Sequence, residues 1–137
     1  MDAPLARAVR ERAGDACEYC RVPQAGFPAI TFHVDHVVAV QHRGRMVFGN
    51  LALACVNCNN HKGPNIAGLD PRTGRLTRLF NPRRQRWGRH FRWDGARIVG
   101  RTAVGRVTVD VLNLNHGPMV ELRAVLIEEG LLVPADG

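Results

Sequence analysis

The chain has 137 residues, enough for one domain with a modest core, and no run near the roughly eighteen apolar residues needed to cross a bilayer. Nineteen basic residues against twelve acids give a formal charge of +7, which points to a polyanionic partner. The first residues, MDAPLARAVRERAG, alternate charge with small apolar groups and carry no signal-peptide core, so a soluble, cytoplasmic protein with no membrane partner is expected.

Leu5, Ala6, Val9 and Ala13 recur at near-helical spacing before Gly14, which predicts a short amphipathic helix over 3–13 leading into CEYC. AITFHVDHVV is rich in β-branched residues and reads as a strand. QHRGRMVFGN is a polar loop, LALAC a short second strand, and NNHKGPNIAG a helix start that cannot run far past Gly63 and Pro64. DPRTGR is a turn; LTRLFNPRRQRWGRHFRW and ARIVGRT read as extended arms of one hairpin around Asp94-Gly95. TAVGRVTVDVLNLN fits either a strand, through Val107, Val109 and Val111, or a helix capped by Thr102, with the helix preferred. PMVELRAVLIEEG reads as a helix with Met119, Leu122, Val125 and Leu126 on one face and Gly130 as its stop.

Four cysteines fall as two C-x2-C pairs, Cys17/Cys20 and Cys55/Cys58, a pattern that favours metal over disulfides in a chain without an export signal. The 34 residues between the pairs exceed the spacer of a simple zinc ribbon, so they carry an insert. That insert holds Asp35-His36 and Asn50, and Asn59 follows the second pair. Neighbouring strand residues point to opposite sides, so Asp35 and His36 can address different parts of one ligand. Phosphodiester hydrolysis needs such a division: a cation on the phosphate oxygens and a base that aims water at phosphorus, for which an imidazole is suited near neutral pH.

CEYC, VDHVV, GNLAL and ACVNCNNHKG, in this order over residues 14–66, resemble the HNH (His-Asn-His) endonucleases with a ββα-metal fold, in the branch with a four-cysteine zinc site. The resemblance implies His36 as general base, Asp35 and Asn59 as ligands of a catalytic Mg²⁺ or Mn²⁺, and Asn50 as the residue that holds the loop and orients His36. It further implies structural zinc on Cys17, Cys20, Cys55 and Cys58, with Lys62 near the phosphate backbone. Asn59 and His61 lie about 200° apart around a helix and compete for the metal; Asn59 is the expected ligand, while His61 braces the cysteine pair or touches a phosphate.

Residues 72–106 hold eleven arginines and one acid, Asp94. Arg83, Arg84 and Arg86 are expected to grip nucleic acid; Trp87, Phe91 and Trp93 fit base stacking and a second-half core equally well. The expectation is an α+β protein: a ββα-metal nuclease core with zinc knuckles over 1–70, and an arginine-rich hairpin with helices over 71–137 packed on the same domain. Its substrate would be DNA, with RNA and the oligomeric state left open. The rival reading is a noncatalytic zinc-stabilised nucleic-acid-binding module.

Overall fold

The computed structural model describes residues 2–135. Helix α1 (Ala3–Ala13) begins where the Asp2 carboxylate accepts from the Leu5 amide at 2.7 Å and stops at Gly14, whose φ of 63° suits a residue without a side chain. The predicted strand over AITFHVDHVV shortens to β1 (His33–His36). Its flanks are claimed by side chains: Gln24 binds the Phe27 and Ile30 carbonyls and the Phe32 amide, and past His36 the Val38 amide turns to the Asn50 side chain at 3.0 Å. Strand β2 (Leu51–Ala54) pairs antiparallel with β1, setting Asp35 opposite Ala52 and His36 opposite Leu51. All four β2 residues are buried, with α1 packed on the strand.

Helix α2 (Val56–Lys62) starts earlier than NNHKG implied, because the Cys55 sulfur caps it by accepting from the Cys58 amide. It ends at Gly63, as expected. Strands β3 (Ala67–Leu69) and β4 (Leu76–Arg78) form a hairpin closed by the DPRTGR turn. The long extended arm read over 76–93 is therefore broken. Its middle folds into a turn held by Asn81 and Gln85 and a short helix α3 (Trp87–His90), and only β5 (Phe91–Asp94) pairs with β6 (Arg97–Gly100) around Gly95.

Thr102 caps α4 (Ala103–Val111), accepting from the Gly105 amide at 3.1 Å, so the helical alternative holds. This helix lies directly on the β5–β6 hairpin. A Cβ at Gly105 would sit 1.9 Å from the His90 carbonyl oxygen, so the contact needs a residue with no side chain. Helix α5 (Gly117–Glu128) buries Met119, Arg123 and Leu126, whereas Val125, expected on that face, is 49% exposed. Six residues after Met119 is about 240° around the helix, and the stripe runs through Arg123 instead.

One buried cluster joins Cys17, Tyr19 and Leu51 to Phe80, Trp87 and Phe91. The Trp87 ring meets Phe91 at 5.0 Å and Trp93 at 5.4 Å, tilted to both, and its indole N–H donates to the Tyr19 carbonyl at 2.8 Å. Of the two readings of these aromatics, Trp87 and Phe91 are core, and Trp93 is half-buried against them. A second tie is the buried Asp70 carboxylate, which accepts twice from the Arg106 guanidinium, at 3.0 and 2.8 Å, and fastens the β3–β4 hairpin to α4.

Candidate active site and four-cysteine centre

Two backbone devices bring the cysteine pairs together. The Cys17–Cys20 turn closes through the Arg21 amide on the Cys17 carbonyl at 3.0 Å, while Glu18 straps it to β2: its amide donates to the Leu53 carbonyl at 2.9 Å and its carboxylate accepts from the Leu53 amide at 2.8 Å. The second pair sits on the first turn of α2. The four sulfurs lie within 4.8 Å of one another, all buried, with Cys20 and Cys55 3.6 Å apart. That is the spacing of four thiolates around a tetrahedral zinc ion. Burial pushes the Cys17 thiol up, but hydrogen bonds from Cys20, Cys55 and Cys58 outweigh it and hold Cys17 well below the ordinary thiol range. Cys20 and Cys58 are pushed up, first by sharing with Cys17. A dication would release those protons and spread the charge over all four sulfurs.

Asp35 and His36 end β1 beside α2. The Asp35 Oδ2 atom accepts from the Lys62 ammonium at 3.1 Å and from the Tyr19 hydroxyl at 3.4 Å; Oδ1 has no hydrogen-bond partner among the described residues. Burial raises the Asp35 carboxyl above its usual range, and the Lys62 charge opposes that shift. Burial, followed by the Asp35 charge, lifts the Tyr19 phenol well above its ordinary range, so it stays a donor. Lys62 also donates to the His36 carbonyl at 3.0 Å. It is 2% exposed, so it braces the strand from within. His36 Nε2 is buried with no hydrogen-bond partner among the described residues.

Asn50 bridges the ends of the intervening loop: its Oδ1 accepts from the Val38 amide, and its Nδ2 donates to the Val38 and Arg45 carbonyls at 3.0 and 2.9 Å. The chain leaving His36 is thereby held. Asn59 is half-buried on α2, and its side chain makes no hydrogen bond among the described residues. His61 is exposed, donates back to the Asn57 carbonyl at 2.8 Å and lies 6.3 Å from the His116 ring.

The arginines divide. Arg84 and Arg86 are exposed, whereas Arg83 is half-buried, ion-paired with Glu18 and bonded to the Leu51 carbonyl at 3.2 Å. Tyr19 was not among the residues expected at the site; its only signal was its place inside CEYC. The sole lysine standing one helical turn after Cys58 was the corresponding clue for the inward role of Lys62.

No helix among the described residues is long and apolar enough to cross a membrane. The HNH endonuclease family model matches residues 17–65, from the first zinc-type cysteine to just past α2. The chain is also 32% identical over 109 residues to the Septu protein PtuA of Bacillus mycoides (strain KBAB4), a match covering 72% of this chain and 15% of that protein. This chain therefore spans a small part of that relative's length. No solved structure matches. The match encloses the four clustered cysteines together with Asp35, His36, Asn50 and Asn59, so residues 17–65 of this chain are similar to the HNH endonuclease family.

Proposed function

We propose that this protein is a metal-dependent endonuclease that hydrolyses DNA phosphodiester bonds, with residues 71–137 as a basic extension of a ββα-metal core over 1–70. The observation that carries the reading is the buried, unpartnered His36 Nε2 beside a carboxylate that has one oxygen clamped and the other unengaged. A buried polar atom without a partner is costly, and a site that awaits a water and a phosphate accounts for it. A zinc-stabilised binding module has no use for that arrangement.

The donor set fits a hard cation. Among the described residues only the four cysteines group three or more His, Cys, Asp or Glu ligand atoms; in this reading a catalytic ion would rest on Asp35 Oδ1, the Asn59 amide oxygen and waters. Mg²⁺ and Mn²⁺ accept such an oxygen set. When bound, the cation would offset charge developing on the phosphate and the leaving oxygen. His36 Nε2 takes the proton from the attacking water, Asn50 keeps the His36 segment in place, and the products are a 5′-phosphate and a 3′-hydroxyl.

Plasmid nicking with and without Mg²⁺ or Mn²⁺ tests the activity, and titration of the cation tests the ligand. Asn59→Ala should need about tenfold or more Mg²⁺ for half-maximal nicking, since even outer partners of a metal ligand cost that much, while His61→Ala keeps the parent's requirement. The reverse pattern would assign the ligand to His61.

Arg84 and Arg86 are the exposed cations of their turn. Neutralising both should weaken binding to all DNA sequences alike and reduce the slope of log affinity against log salt by about one per residue. Arg83→Ala should leave the slope unchanged and lower thermal stability, because its guanidinium is spent on Glu18 and Leu51. An unchanged slope in the double variant would place the nucleic acid elsewhere.

A further inference from the structure

We infer that Tyr19 and Lys62 are positioning residues for Asp35, carried to it by the two cysteine pairs, so that the four-cysteine centre sets the orientation of the metal-binding carboxylate. The inference rests on the nuclease reading above and extends it to residues with no assigned role.

Three observations converge. Tyr19 stands between Cys17 and Cys20, is fully buried, and points its hydroxyl at Asp35 Oδ2. Lys62 stands four residues after Cys58, one turn along α2, and its ammonium reaches the same oxygen at 3.1 Å. Both donors to Oδ2 thus project from segments that also carry the clustered sulfurs. With Oδ2 filled twice, a cation can use only Oδ1, which makes Asp35 a one-oxygen ligand of fixed direction.

The choice of cation agrees. Eighteen of the nineteen basic residues are arginine, yet the buried position holds the only lysine. A compact ammonium can bond a carboxylate oxygen and the His36 carbonyl from one point, as Lys62 does. A planar guanidinium spreads its donors over a fork and needs more room. One side chain thereby fixes both Asp35 and the backbone of its catalytic neighbour. A buried ion pair adds little net stability, so stability alone is a weak account of this one.

The test uses zinc-loaded protein and measures Mn²⁺ binding from the free-ion electron paramagnetic resonance signal, which requires no cleavage, alongside nicking at saturating Mn²⁺. Tyr19→Phe removes only the hydroxyl, and should keep parental zinc content and circular dichroism while weakening Mn²⁺ binding by about tenfold, the usual cost of losing an outer partner. Lys62→Met separates two roles by sign. A lysine acting only as a nearby charge repels Mn²⁺, so its removal would tighten binding; a positioning lysine gives weaker binding on removal, which is the expected result. Asp35→Asn supplies the reference. If Asp35→Asn abolishes Mn²⁺ binding and Tyr19→Phe binds within twofold of the parent, or Lys62→Met binds more tightly, the positioning role is overturned and the nuclease reading stands. If Asp35→Asn leaves binding unchanged, Asp35 is no ligand and both fall. Should Lys62→Met fail to fold, Tyr19→Phe decides alone.

Discussion

His36→Ala should lower DNA cleavage by about a hundredfold or more while leaving DNA affinity within about twofold, because a general base acts in the transition state and adds little to ground-state binding. A hundredfold is about 2.7 kcal/mol of lost transition-state stabilisation. The substitution is structurally mild. The His36 contact that holds the strand is its carbonyl, on Lys62, and alanine keeps it. The Asp35 clamp is made by Tyr19 and Lys62, and Asn50 holds the following loop through Val38 and Arg45. Mn²⁺ binding should therefore survive in His36→Ala, which separates it from Asp35→Asn. Cleavage within about threefold of the parent would remove His36 from the mechanism, since proton transfer is worth far more than that.

Cys55→Ser should lose the structural metal and unfold. Structural zinc contributes on the order of 10–16 kcal/mol in small metal-dependent domains, as much as or more than the whole stability of a typical domain. Here the four sulfurs tie the Cys17–Cys20 turn to the start of α2, and no disulfide does so in their place. Cys55 has a second duty as the cap of α2, but serine is a good cap, so loss of structure in Cys55→Ser reports the metal site and not the helix end. The parent should carry about one zinc per chain. A chelator should erase its circular dichroism together with the zinc. Metal-free protein with a native spectrum would show that the cluster is dispensable.

The parts of the site legible in the sequence are those whose meaning lies in short spacing. The two C-x2-C pairs, Asp35-His36, Asn50 ahead of LALAC and Thr102 ahead of α4 each carry their signal within a few residues, because turns, caps and paired ligands are local geometry. The expected cysteine cluster and the helical reading of 103–111 follow from that. The extended arm over 76–93 failed for a related reason: the hairpin expected around Asp94-Gly95 was carried back across a stretch where Asn81 and Gln85 close a turn with their own side chains.

What no spacing reveals is which charges turn inward. Arg83 looked like one more phosphate contact in an arginine run, yet its partner Glu18 stands 65 residues away. Arg123 carried no signal of its place in the sequence, and it is fully buried, donating to the Ala96 carbonyl and the Asn115 side chain. Lys62 turns inward and is locked against Asp35. The sequence of this protein sets its metal chemistry and the positions of its candidate catalytic groups, since those depend on residue type and near neighbours. The fate of each cation depends on whether folding brings a distant acceptor within about 3 Å of it and shuts out water, a balance of desolvation against pairing that exists only once the chain has closed on itself.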